Sequence, residues 1–138
     1  MTPDDVATVQ ATLPDLGPRT DELARVFYAR LFALDPTLRP LFPTDMEAQR
    51  LKFVATLGEI VDAISRLDRF TAAAGALGVA HVSHGAEVRH YELVGEALGW
   101  ALRTTLADAW TPAIGHAWAV AYNLVAETMM AAAAQVDP

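Results

Sequence analysis

The chain has 138 residues, one domain's length, and 53% of them are hydrophobic against 20% charged, so it can build a core and is neither disordered nor fibrous. A formal net charge of −7 sets most of the surface against nucleic acid and anionic lipid, and basic residues such as Arg25, Arg30, Arg50 and Arg103 form no dense cluster. There is no cysteine, which excludes disulfides, thiolate metal ligands and a Cys nucleophile.

The first five residues, Met1-Thr2-Pro3-Asp4-Asp5, have no basic segment followed by an apolar one, and no apolar run reaches the roughly eighteen residues of a membrane span. A cytoplasmic protein is therefore expected. Thr2 as N-cap, Pro3 at the first helical position and Asp5 in the first turn predict a helix start. Val6, Val9, Leu13 and Leu16 continue it at helical spacing, with Pro14 expected to bend or end it before Gly17-Pro18.

A second helix is predicted over about Thr20 to Leu34. Leu23, Val26, Phe27, Leu31 and Leu34 form one stripe, and Tyr28 and Phe32 widen it, so burial on more than one side is expected. Pro36, Pro40 and Pro43 then cut the chain into short turns. Leu38, Leu41 and Phe42 among them suggest a tight, buried corner.

The spacing of Met46, Gln49, Phe53, Leu57, Ile60 and Ile64 predicts a third helix over about Asp45 to Leu67. A weaker, Ala/Gly-rich helix should run from Phe70 to about His84. A strong one should run from Val88 to Leu106, and Thr111-Pro112 should open the last, with Ile114, Trp118, Tyr122, Val125 and Met129. Strand signals, internal repeats and linkers are missing, so a single all-α domain of residues 1–138 is predicted.

Three residues sit oddly in this pattern. Gln49 lies on an apolar stripe, where an unpartnered amide costs roughly 1–3 kcal/mol; on pattern alone it reads as a boundary position reaching water. Tyr28 reads as a core aromatic whose hydroxyl meets a backbone carbonyl. His81 reads as a surface or satisfied histidine, as do His84, His90 and His116; no acid completes a metal set around His81 and His84. Glu92 and Glu96 read as a helical pair on a solvated face. The chain has no Gly-rich phosphate loop, nucleophile elbow, H-E-x-x-H or paired carboxylates in an apolar setting. What is left for chemistry suits a cofactor that brings its own reactivity.

Four stretches, in order, carry a resemblance. They are Val26-Phe27-Tyr28-x-x-Leu31-Phe32 with Asp35-Pro36-x-x-Arg39-Pro40-Leu41-Phe42; Gln49-x-x-Lys52-Phe53 with Leu57-Gly58; Leu77-Gly78-x-x-His81-x-x-x-Gly85 followed by His90-Tyr91-x-Leu93-Val94-Gly95; and Trp118-x-x-x-Tyr122. The chain resembles the globins, above all bacterial single-domain globins related to the haem domain of flavohaemoglobins, and the resemblance extends over about Val9 to Met130.

The resemblance implies a globin fold of six to eight helices around one haem b. It implies His81 as the iron ligand, ten residues before Tyr91, with the other ring nitrogen donating to a backbone carbonyl. His90, next to Tyr91, is the rival. Phe42 matches the aromatic that stacks on the porphyrin, and Lys52 is expected to meet a propionate. Phe53 stands where relatives usually have Leu and should narrow the pocket. Leu57, Leu77, Tyr91, Val94 and Leu98 complete the expected haem contacts. Tyr28 and Gln49 match the distal pair: two hydrogen bonds of about 1–2 kcal/mol each would slow O2 loss by roughly ten- to a thousandfold.

One departure bears on function. Relatives carry a glutamate late in the last helix, behind the proximal histidine, and counting from Trp118 and Tyr122 that position is Ala133. Without a carboxylate pushing electron density toward iron, O–O cleavage loses support. No flavin- or NAD-binding segment follows Pro138, so an external reductase is expected. Reversible binding of O2, NO and CO by a monomer or homodimer is the leading expectation, for oxygen storage, delivery or NO detoxification. NO dioxygenation with a separate reductase is the alternative, and a haem-based sensor or a haem-free helical interaction module are further ones.

Overall fold

A computed structural model describes residues 1–83 and 87–134. Six α-helices make up the described chain: α1 Pro3–Leu16, α2 Thr20–Leu34, α3 Glu47–Ala63, α4 Leu67–Ser83, α5 Val88–Leu106 and α6 Pro112–Ala134. Short 3-10 turns occupy Gly17–Arg19, Pro36–Leu41 and Ala107–Ala109. No described helix is long and apolar enough to cross a membrane.

The helix starts follow their local chemistry. The Thr2 hydroxyl accepts from the Asp5 amide at 3.1 Å and the Asp5 carboxylate accepts from the Thr2 amide at 3.0 Å, a reciprocal cap on two otherwise orphaned donors. Those bonds hold the Asp5 carboxyl below its ordinary pKa. At α6 the Thr111 hydroxyl accepts from the Ile114 amide at 3.2 Å.

Two boundaries depart from expectation. Pro14 does not end α1. It sits inside the last turn, and the helix stops at Gly17, whose φ of 54° only glycine adopts freely. The break between the third and fourth helices comes earlier than expected: α3 ends at Ala63 rather than about Leu67, and α4 begins at Leu67 rather than Phe70. The Ile64 and Arg66 amides bond back only three residues, to Val61 and Ala63, which tightens and breaks the helix although the apolar stripe continues.

The main core lies between α1, α2, α5 and α6 and holds Val9, Leu16, Leu23, Phe27, Leu102 and Trp118. Fully burying such a side chain contributes about 1.5–3 kcal/mol. Ala24 on α2 and Ala97 and Ala101 on α5 are wholly buried, so these helices meet over small side chains. A second core, of Ile60, Ala63, Phe70, Ala74 and Met129, joins α3, α4 and α6. Ile64 packs against both.

The proline-rich corner is buried only in part. Leu38 is buried, but Leu41, at the last position of the turn, is 66% exposed. Asp35 caps the turn by accepting from the Thr37 amide at 3.0 Å, and it pairs with Arg89 at the start of α5 at 2.9 Å. The corner is thereby tied to the helix that carries Tyr91.

Candidate functional site

Helix α2 brings Tyr28 inward, and α3 brings Gln49 to meet it: the Gln49 Nε2 donates to the Tyr28 hydroxyl oxygen at 2.9 Å. Gln49 therefore does not end in water, and Tyr28 uses a side-chain partner in place of a backbone carbonyl. Burial pushes the Tyr28 phenol above its ordinary pKa, and the bond from Gln49 opposes that shift. The group is a neutral phenol at physiological pH.

Aromatic rings enclose this pair. Phe42 and Phe53 each stand edge-on to Tyr28 with centroids 5.6 Å away, and Phe32 lies at 5.9 Å. Phe53 stacks on Phe27 at 4.4 Å, which fixes its ring plane. Leu57, Val94 and Leu98 pack into the same cluster. Lys52, one position before Phe53, is exposed.

Phe42 is held by a residue that pattern reading left without a role. Arg39 donates from Nη1 to the carbonyls of Phe42 at 3.3 Å and Pro43 at 3.0 Å, and from Nη2 to Thr44 at 3.1 Å, while its guanidinium sits over the Phe32 ring. The only sequence signal was its place in the Arg39-Pro40-Leu41-Phe42 motif.

The second bank comes from α4 and α5. His81 is exposed near the end of α4, and its Nδ1 lies 2.8 Å from the Leu77 carbonyl oxygen. A carbonyl only accepts, so in the neutral ring the proton is on Nδ1 and the Nε2 lone pair is the one left for a metal. One turn earlier, α4 is pinned: a Cβ at Gly78 would lie 2.3 Å from the Met129 carbonyl oxygen, so only glycine lets α4 approach α6 this closely. Leu77 and Tyr91 each pack against the second core. Burial raises the Tyr91 pKa, and the Tyr91 carbonyl accepts from the Tyr122 hydroxyl at 2.5 Å. His90 is used differently: its Nδ1 accepts from the Glu87 amide at 2.8 Å and caps α5. His84 and Gly85, also in the expected proximal motif, lie outside the described residues.

The site thus falls into two groups, Tyr28, Phe42, Gln49, Phe53, Leu57, Val94 and Leu98 in one cluster, and Leu77, His81 and Tyr91 beside the other. The globin family model matches residues 25–129, which spans both. The chain belongs to the globin family.

This globin is 32% identical over 133 residues to a flavohemoprotein of Deinococcus radiodurans and 30% identical over 133 residues to one of Bordetella pertussis. Each alignment covers 94% of this chain and 33% of the relative, so the globin spans about a third of those proteins' length. Its fold superposes on a bacterial globin of Campylobacter jejuni with a TM-score of 0.85 at 21% identity, covering 98% of both chains. It also matches an engineered carbene transferase, made from a candidate nitric oxide dioxygenase of Rhodothermus marinus, with a TM-score of 0.86 at 26% identity, covering 99% of this chain and 95% of that one. Membership of the family implies haem. The donor set fits it: one imidazole with Nδ1 committed to a carbonyl, and a hydrogen-bonding pair inside an aromatic wall.

Proposed function

We propose that this globin holds haem b through His81 Nε2 and binds O2 reversibly, with NO and CO as further ligands, for oxygen storage, delivery or NO detoxification. The observation that carries the reading is the Gln49–Tyr28 hydrogen bond at 2.9 Å within a ring of phenylalanines. When bound, haem supplies the iron at which a diatomic gas binds reversibly. Phe42, Phe53, Leu57, Leu77, Tyr91, Val94 and Leu98 would hold it by apolar contact, Gln49 from the distal side, and Lys52 through a propionate.

The hydrogen bond has a useful polarity. Gln49 donates, so the Tyr28 oxygen accepts and its own O–H proton remains for a guest. The second Gln49 N–H is also a donor. Two fixed donors set against a wall of aromatic rings favour a ligand whose outer atom gains negative charge. His81, in turn, leans on the Leu77 carbonyl and not on a carboxylate, and Ala133 stands where relatives carry the glutamate. That arrangement supports holding O2 over splitting it.

The experiment is a cycle on protein reconstituted with haemin and reduced. Repeated exposure to O2 and to argon should interconvert two spectra without loss. Failure to take up haemin, or oxidation in the first cycle, would sink the reading.

A second reading is NO dioxygenation, NO + O2 + e− → nitrate, with the electron from a separate reductase. It is favoured by the likeness to the Rhodothermus marinus protein and to flavohemoproteins. Sustained NO consumption with NADH and a flavin reductase supports it, and consumption that stops after one equivalent rejects it.

A further inference from the structure

A groove of about 740 Å3 runs between α5 and α6, on a face that the proposed site uses only through Tyr91 and Leu98. All three tryptophans of the chain line it. A volume of this order, lined by aromatic rings with a few polar groups, is that of a small-molecule site.

Glycines give the groove flat walls. On α5 a Cβ at Gly95 would come within 2.7 Å of the Tyr122 ring, so that ring lies against bare backbone. On α6 a Cβ at Gly115 would come within 2.6 Å of the Trp110 ring, with the same result. Gly99 lines the groove too, and a Cβ there would meet nothing within 4 Å. Two of these glycines seat a ring, and the third leaves an opening of the same kind. Trp100 stands beside it, 49% exposed. The Arg30 guanidinium lies 4.3 Å from the Trp100 ring centroid, and Arg30 Nη2 donates to Glu96 at 3.4 Å, so the indole is held by a cation that is itself held.

The charges give a guest its direction. Arg103 is exposed, lies 5.0 Å from the Trp110 ring centroid, and has no carboxylate partner among the described residues. His116 lines the same end but shares its field with Asp5 of α1. Glu92 lies toward the other end, about 16 Å from Arg103 along the helix axis. Gly99, Trp100 and Arg103 are neighbours within one turn of α5. In a chain of net charge −7, a free cation beside an opening between rings marks where an anionic group settles.

We propose that this groove binds a flat, fused-ring aromatic molecule carrying one anionic group, with its rings against Trp100 over Gly99 and its anion at Arg103. Stacking supplies the affinity, and the cation sets the orientation. An alkyl chain leaves the flat walls unused, and a neutral ring leaves Arg103 unused. The site uses neither Tyr28 nor Gln49 and does not depend on which residue holds iron.

Isothermal titration calorimetry of the full chain, loaded with one equivalent of haemin, tests this with 2-naphthoate as the probe. Runs at about 15 and 35 °C keep a cancelling enthalpy from hiding the heat. One molecule per chain is expected, with a Kd on the order of 50 µM and an unmoved Soret band. Two controls, 2-naphthalenemethanol (flat but neutral) and 1-adamantanecarboxylate (charged but round), should each bind about fivefold more weakly. Arg103→Gln should weaken naphthoate about fivefold and the neutral alcohol less than about twofold. Trp100→Ser should weaken both about tenfold. Gly99→Leu should abolish binding by filling the opening, and α5 stays intact because leucine is the better helix former. No heat with naphthoate at either temperature overturns the proposal, whether the chain sediments as a monomer or a dimer. So does binding that survives Gly99→Leu, binding that moves the Soret band and therefore lies at the haem, or octanoate binding as tightly as naphthoate.

Discussion

Gln49 and Tyr28, twenty-one positions apart and on different helices, share a hydrogen bond of 2.9 Å that leaves the phenol proton unspent. Tyr28→Phe removes that proton, and Gln49→Leu removes the second donor. Each should speed O2 release about tenfold or more from haemin-reconstituted, reduced protein, measured by stopped flow. The double variant should be less than the product of the two, because the residues position each other. Unchanged rates in both would take the pair out of the site.

Gly78 and Gly58 should respond in opposite directions to alanine. A Cβ at Gly78 runs into the Met129 backbone at 2.3 Å, so α4 must move off α6, at a cost of about 1–3 kcal/mol. At Gly58 nothing lies within 4 Å, and alanine inside α3 should add about 0.5–1 kcal/mol. Thermal denaturation checks both, with equal melting temperatures the contrary result.

Trp118 donates from its indole nitrogen to the Thr12 hydroxyl at 3.0 Å in the core, and that hydroxyl donates on to the Thr8 carbonyl at 2.8 Å. Thr12→Val keeps the shape and strands the indole N–H. A loss of about 1–3 kcal/mol in urea unfolding is expected, and no loss would mean the bond contributes nothing net.

Alkaline stability should follow the tyrosines. Burial raises the pKa of Tyr122, Tyr28 and Tyr91, with the Tyr91 charge adding to the rise at Tyr122. A raised folded-state pKa leaves its stabilisation intact below the unfolded value, about 10, and loses it as pH climbs from there toward the folded value. Tyrosinate absorbance should therefore stay low at pH 10 and then rise together with loss of helix. A smooth titration centred on pH 10 with helix intact would contradict this.

Much of the fold was legible because apolar stripes and proline punctuation coincide. The expected ends of α2 and of α5 fall on the observed ones. The α3–α4 break was expected a few residues too late, since the stripe through Ile60 and Ile64 carries on across it and only Ser65-Arg66 interrupts. Pro14 was over-read as a stop: it costs α1 one i→i−4 bond, yet the helix runs on through Leu16.

Site residues were legible as a family pattern and not as contacts. Periodicity says which face a residue occupies, so Tyr28 and Gln49 each looked ordinary until two helices brought them together. Arg39 was missed as the clamp on Phe42 because backbone carbonyls leave no trace in side-chain patterning. The α5 face was read as solvated from Glu92 and Glu96, and both are exposed; the groove beside them needs α6 to form.

The central claim is that His81 holds the iron. The direct measurement is a haemin titration of the wild type and of His81→Gly, followed by absorbance in the Soret region. The expected result is one haem per wild-type chain, a shifted and weakened band in His81→Gly, and recovery of the wild-type spectrum when free imidazole is added. A His81→Gly protein with an unchanged spectrum and affinity would contradict it.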